Sequence, residues 1–453
     1  MILWYNDRII QGVFIFLIVT IALLILRKVL KKKCKVKFFL KSELFMIVLT
    51  VILGLFGYFG KIVDVKTANT KMYSKSALMK DINQLEYVLL KENPLYYTDS
   101  NALKAEFEKA RKQIKEEMTE EEFYRLVNPI VVKVQCGHTN LSISSALEKN
   151  RKENAKFLPI DLYAKDDCLY EKDTKERVVS INGNTAAEII NTLLKNISHD
   201  GDNLSGAYYI MNHYFATKYY DFVEQPKTFD ITYQKEDGNI YTKTYIAEYD
   251  EKDNVNAWNL RMAMYDGIQY YSSDFQGETA ILKINVFMQG KQSFSKFLKE
   301  FFHQVEEKQC KKIIIDVRGN FGGDPRMAKE LLSYFITEPF DYFQSNVSLM
   351  EKIVGYDKKV IPKADKIPYE SELWIDGACF STCGHFASIY QSLGLGTILG
   401  EATGGGSICT DESKDIVLYQ TGLRLHYSTK VFEVNADCEH TNVVFPDYNG
   451  TLE

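Results

Sequence analysis

Ser381 is the residue around which chemistry can be built. It lies in Asp376–Gly406, DGACFSTCGHFASIYQSLGLGTILGEATGGG, which reads as a strand end, a tight turn carrying Ser381, a helix from about Cys383 to Leu393, a second strand and a glycine loop. A serine at a strand-to-helix turn has its hydroxyl held above the sheet and its backbone N–H near a helix N-terminus, where an acyl-transfer nucleophile needs to be. The same position suits a serine that only caps the helix.

The other reactive types fall into a few places. His138 stands in VQCGHTNLSI, where Gly137 breaks a helix and a short extended run begins, a junction from which a side chain can reach into a cleft. Gly322 and Gly323 follow the buried strand of KKIIIDVRGNFGGD, where a tight turn is the ordinary explanation. Cys379 and Cys383 flank Ser381; a Cys383 nucleophile served by His385 is conceivable, but Cys383 falls inside the helix rather than at its turn. Gly404–Gly406 could bind an anion, yet it lacks the lysine and the helix of a phosphate loop. His199, His213, His303 and His440 have no partner pattern, and no CxxC or His/Cys spacing suggests zinc, so no metal or organic cofactor is expected.

The elements that must hold these residues change character along the chain. In the stretch 76–134, Leu78, Ile82, Leu85 and Leu89 share one helical face, and Leu103, Phe107, Ala110 and Ile114 share another after the break at Asn93-Pro94. Thr119 and Glu122 form a capping box that opens a third helix. In 157–248, a strand with an Asn-Gly turn precedes a helix capped by Thr185 and Glu188. FDITYQKEDGNIYTKTYIAEY then reads as a hairpin about Asp237-Gly238. An α+β unit of this kind is either an inert insert or a PDZ-like module that accepts a peptide strand. From about Gly277 onward strands and helices alternate, which predicts a mainly parallel sheet with its ligand site outside the carboxyl ends of the strands.

At 453 residues the chain exceeds one compact core, and its net charge of -5 argues against a general nucleic-acid binder. Residues 9–26 and 44–63 are apolar runs of about membrane-spanning length around the basic loop RKVLKKKCKVKFFLK. They predict a two-helix hairpin with a cytoplasmic loop, a cell-membrane location, and everything after Lys66 extracytoplasmic. Of eight cysteines, Cys34 would lie in that loop, leaving an odd seven outside. The expected division is 1–66 membrane hairpin, 67–150 helical cap, 151–256 PDZ-like module and 257–453 catalytic core.

In this order and roughly these spacings, KIIIDVRGNFGGD, ACFSTCGHFA and ILGEATGGG resemble the carboxyl-terminal-processing (tail-specific) protease family. LKENPLYY, CGHTNLSI and the late VVFPD resemble its His-using branch, which includes the tricorn core protease; the resemblance covers about residues 76 to 450. It implies an α/β fold with a ClpP/crotonase-like catalytic core, in which Ser381 is the nucleophile and the N–H groups of Gly322 or Gly323 and of Thr382 form the oxyanion hole. The lysine base of the processing branch would fall at Gly406, and no lysine lies between Ser381 and Lys414, so a Ser–Lys mechanism is not expected; His138 matches the histidine of the His-using branch, since GHT precedes a strand in both, and the resemblance implies it as the base. Glu439 is the match for the acidic residue that orients the site, with Glu433 its rival. The chain departs from the pattern at Gly137, where the tricorn enzyme has serine, and at Gly384, where the family usually has glutamate. The resemblance thus implies a membrane-anchored serine endopeptidase acting on peptides or unfolded protein tails. The alternative is an inactive ligand- or peptide-binding protein on the same fold.

Overall fold

Leu78, Ile82, Leu85 and Leu89 are fully buried, which fixes the inward face of α1 (Lys75–Lys91) in the computed structural model. The structure describes residues 71–250, 265, 267–344, 347–364 and 368–450. A short pair, β1 (Met72–Ser74) with β2 (Glu117–Thr119), ties the start of α1 to the segment after α2 (Ser100–Gln113). Thr119 and Glu122 cap α3 (Glu120–Val132) reciprocally. The chain then passes His138 into β3 (Asn140–Ser142) and α4 (Ser145–Asn154), whose first turn is capped by Ser144.

The middle segment forms one antiparallel sheet in the order β4 (Leu162–Lys165), β5 (Cys168–Glu171), β6 (Arg177–Ile181), β8 (Thr228–Gln234), β9 (Ile240–Ile246), with β7 (Asn184–Thr185) beside β6. Three helices lie between its strands: α5 (Ala186–Leu194), which carries the Thr185–Glu188 capping box, α6 (Ser205–His213) and α7 (Phe215–Phe222). The Asn212 amide bonds both the N–H and the C=O of Ala164, at 2.7 and 3.0 Å, and so occupies the outer edge of β4.

The last segment begins with β10 (Tyr271–Gln276) and β11 (Thr279–Ile284), continues through α8 (Phe294–Glu307), β12 (Lys312–Asp316), α9 (Pro325–Leu332) and the short α10 (Leu349–Ile353), and reaches β13 (Glu370–Ile375). Then come α11 (Thr382–Ser392), β14 (Thr397–Gly400), β15 (Ile408–Asp411), β16 (Lys414–Val417), β17 (Arg424–Tyr427), β18 (Lys430–Glu433) and β19 (Tyr448–Asn449). The main sheet runs β10-β11-β12-β13-β14-β19; β10 is antiparallel to β11, and the other neighbours are parallel. Ile313, Ile314 and Ile315 are consecutive and buried, as a strand covered on both faces requires.

The expected ClpP/crotonase-like core with a mainly parallel sheet is corrected here to an α/β fold with mixed sheets. After the glycine loop the strands leave the parallel sheet. Left-handed backbone at Glu412 and Gly422 turns the chain sharply, so that β15 pairs antiparallel with β18, and β16 pairs antiparallel with β17. β17 also pairs antiparallel with β3, which brings the end of the His138 segment onto the last third of the chain.

The membrane hairpin is corrected as well. Among the described residues no helix is long and apolar enough to cross a membrane, and the runs 9–26 and 44–63 lie outside those residues. Membrane anchoring, the two-pass location and the extracytoplasmic placement are therefore set aside. The seven described cysteines are free thiols.

Candidate active site

β13 ends at Ile375, and the turn that follows is held by backbone groups on every side. The Asp376 carboxylate accepts from the N–H groups of Gly319 and Ala378, each at 3.0 Å, while burial pushes its pKa up to about 6. Phe380 N–H reaches Asn320 O at 3.3 Å, and Gly405 N–H reaches Cys379 O at 3.0 Å. Clamped in this way, Ser381 takes φ 55° and ψ -126° immediately before α11, a conformation that costs a non-glycine residue of order 1–3 kcal/mol. Its hydroxyl makes no capping bond to the helix. The plain helix-cap reading of Ser381 is thereby removed.

Gly322 lies directly against this turn. A Cβ on it would stand 2.9 Å from Ser381 Cβ and 2.8 Å from Thr382 N, and its φ of 101° already excludes most side chains. Its N–H is given to Asn320 Oδ1 at 2.8 Å, and its carbonyl accepts from Phe287 N–H at 2.9 Å. The Thr382 hydroxyl donates to Gly323 O at 2.6 Å and fixes the spacing between the glycine strand and the first residue of α11.

His138 is carried to the same turn by the cap. Its ring is tilted against that of Phe380, the residue before Ser381, with centroids 4.6 Å apart. The segment is secured by the pairing of β3 with β17 and by Cys136 Sγ, which lies 2.7 Å from Thr410 Oγ1 of β15. Two further groups that sequence reasoning missed stand on β15. The Cys409 thiol is buried, and that burial pushes it well above its ordinary pKa, with the Ser381 side chain opposing the rise. Two residues on, along the same face of the strand, Asp411 Oδ2 is 3.8 Å from His138 Nε2.

Glu439 and Glu433 are not brought to this place. The Glu439 side chain is 91% exposed and its charged neighbour is His440 Nε2 at 4.0 Å; Glu433 is exposed at the end of β18, in register with Ile408. Cys379 and Cys383 are fully buried thiols, so the Cys383 nucleophile finds no support. His385, one turn into α11, is buried with both ring nitrogens lacking a hydrogen-bond partner among the described residues. Burial, with a smaller contribution from His138, pushes its pKa down to about 3, so the ring is neutral.

The departures from the expected motif have steric causes. A Cβ at Gly137 would lie 2.5 Å from Phe380 Cζ, so a serine there would displace the Phe380 ring. A Cβ at Gly384 would meet the Gly405 carbonyl carbon at 2.7 Å, which leaves no space for a glutamate. Gly406 is pressed against Thr441 O and Gly404 against Gly377 O, at 2.4 and 2.3 Å from their would-be Cβ atoms. The glycine loop is thus filled by close backbone packing, which disposes of it as an anion cradle. A groove of about 930 Å³ lies elsewhere, floored by Leu126, Pro129, Ile130 and Leu194, and Ser381 and His138 do not line it.

The elbow sits where two apolar clusters meet. Phe380 packs with the cap and the middle module, whereas Cys379 and Cys383 pack with the α/β segment. Residues 278–449 match the family described as Peptidase family S41. The chain carries a serine-type peptidase domain. The matched span contains Ser381, Gly322, Gly323 and Asp411 but not His138. No curated protein matches the sequence. Among solved structures, mature CPAF is similar with a TM-score of 0.60 at 10% identity, covering 83% of this chain and 92% of that one. Mature CPAF complexed with lactacystin is similar with a TM-score of 0.59 at 12% identity, covering 83% and 94%. At these identities the likeness is one of fold. It supports the mixed-sheet architecture and gives no ground for a membrane-anchored member.

Proposed function

We propose that the chain hydrolyses peptide bonds of peptide or protein substrates through an acyl-enzyme, with Ser381 as nucleophile and His138 as general base. The observation that carries this reading is the strained elbow: Ser381 is held at φ 55° with its hydroxyl unspent on the helix, beside a glycine whose backbone touches it. Such a position is tolerated when the surrounding structure over-determines it, and a nucleophile projecting from a sheet is the use that fits. His138 takes the hydroxyl proton as Ser381 attacks the carbonyl and returns it to the leaving amine; His385, buried in α11, stays neutral and holds no charge that competes.

The developing oxyanion would be met by Thr382 N–H, at the first position of α11 where no intrahelical acceptor exists, and by Gly323 N–H. Gly322 N–H is engaged with Asn320, which favours Gly323 of the two. One such donor is worth about 3 to 4 kcal/mol in the transition state. The middle module remains, in this proposal, the part that holds an extended substrate segment. β9 is the last strand of its sheet, with Ile240 and Ile246 well exposed, and an added strand would find backbone donors and acceptors there.

The test is labelling of the purified protein by a serine-directed fluorophosphonate, with mapping of the modified residue. Modification at Ser381, together with loss of peptide hydrolysis in Ser381→Ala and His138→Ala variants that keep the parent's melting temperature, is the expected result. Full activity in Ser381→Ala, or tight peptide binding by a protein inert to the label, would overturn it.

A further inference from the structure

We propose that Asp411, and not Glu439, is the carboxylate that positions His138; the inference rests on the assignment of His138 as base. Asp411 is a positioning residue, since it meets the imidazole and not the substrate. Its Oδ2 stands 3.8 Å from His138 Nε2; the His138 side chain is 12% exposed and that of Asp411 44%, so the pair is shielded from solvent on the imidazole side and open to it on the carboxylate side. Burial alone would raise the Asp411 pKa. The opposing pull of His138, the Ser413 hydroxyl at 2.9 Å and His426 holds it below the ordinary value, so Asp411 is an anion throughout the neutral range.

The strand explains the placement. β15 directs Cys409 and Asp411 to one side because they are two residues apart, so one short element turns a buried thiol and the carboxylate that meets His138 to the same side. Asp411 is itself braced, because its carbonyl accepts from Thr429 N–H at 3.0 Å and its backbone is in register with Lys430 of β18. The other charged and titratable groups around the pair come from every neighbouring element. His385 of α11 is held neutral by burial and, to a smaller degree, by His138, and His426 of β17 is bonded to Asp415 of β16 at 2.7 Å. Lys430 is paired with Glu351 of α10, and Tyr356 is raised in part by Asp411. Asp200, fully buried, accepts the Gly137 N–H at 2.6 Å beside the base of His138, whereas Glu439 is 91% exposed beside His440.

The experiment is the titration of the His138 ring in the full chain carrying ring-labelled histidine, followed by NMR, alongside the pH dependence of fluorophosphonate labelling. A neighbouring carboxylate favours the imidazolium, so Asp411→Asn should lower the His138 midpoint by about one unit. It should also shift the acidic limb of the labelling profile down by the same amount and reduce the plateau rate about tenfold or more. Asp411→Glu should restore the midpoint in part, which a merely structural role would not do. Glu439→Gln should leave the midpoint where it is. The proposal is overturned if Asp411→Asn leaves the midpoint unchanged, or if Glu439→Gln moves it. Should the unaltered protein fail to label at all, the peptidase assignment falls, while the ring titration still decides whether Asp411 is the partner of His138.

Discussion

The His138 ring lies against Phe380, the residue before Ser381 in the chain, with the two centroids 4.6 Å apart and the planes at 35°. The histidine proposed as base is therefore packed against the same turn that presents Ser381, which ties the positions of the two side chains together. Phe380→Leu keeps an apolar side chain of similar bulk and removes the flat face. We expect kcat for peptide hydrolysis to fall about tenfold with KM little changed, and stability to fall by about 1 kcal/mol. Unchanged kcat in a folded variant would show that the ring contact does not position His138.

The three glycines that depart from the expected motif behave as packing residues. Restoring the side chains of the resembling proteases should thus do harm. Gly384→Glu drives a side chain into the backbone of Gly405 and Gly406, and Gly406→Lys drives one into Thr441 O and Val443 N, at 2.4 and 2.6 Å from the Cβ. Backbone cannot yield as a flexible side chain can, so each variant should lose at least the 1–3 kcal/mol typical of overpacking. Thermal unfolding reads this directly. A Gly406→Lys variant that is stable, and active when His138 is also replaced by Ala, would mean that a serine–lysine pair does fit here.

Much of the local architecture could be read in advance because its causes are local. Thr119 with Glu122 and Thr185 with Glu188 cap their helices through contacts three residues apart, and the Asp237-Gly238 turn closes its hairpin with Gly238 at φ 84°. Ser381 was legible as a strand-to-helix serine for the same reason. Asp411 was not, because no motif marks SICTDES; it meets His138 only when β3 pairs with β17 and β15 pairs with β18, contacts between segments far apart in sequence. Glu439 was singled out by its distance along the chain from the end motif. Linear spacing says nothing about which way an exposed loop residue points. The sheet was misjudged for a related reason: alternation of strands and helices up to β14 reads as parallel, while the antiparallel strands after Gly406 follow from the turns at Glu412 and Gly422.

Glu120 gives the cap a pH dependence with a definite sign. It is buried, accepts from Ser144 N–H at 2.6 Å and from Ser144 Oγ at 2.7 Å, and burial outweighs those bonds to lift its pKa from 4.5 to about 7. The folded chain therefore holds a proton between these values that the unfolded chain has released. The stability that this proton confers is complete below pH 4.5, declines as pH rises to about 7, and stays lost above it. Glu120→Gln imitates the protonated form, so the variant should match the parent near pH 4.5 and exceed it by about 2 to 3 kcal/mol near pH 8. Urea unfolding at the two pH values measures the difference; a constant offset between variant and parent would refute the assignment of this titration to Glu120.

The Thr382 hydroxyl offers a test of the oxyanion site that leaves Ser381 and His138 in place. It donates to Gly323 O at 2.6 Å and so sets the distance between the two backbone segments whose N–H groups are proposed to meet the oxyanion. Thr382→Val is nearly isosteric and removes only that bond, leaving a carbonyl that was satisfied without its partner at a cost of about 1–3 kcal/mol. Because the loosened geometry matters most when charge has developed on the oxygen, the loss should appear in kcat and not in KM, by about one order of magnitude. Peptide hydrolysis under saturating substrate, with fluorophosphonate labelling as a check that Ser381 stays reactive, separates the outcomes. A rise in KM at constant kcat would indicate that the Thr382–Gly323 contact shapes substrate binding and not the oxyanion hole.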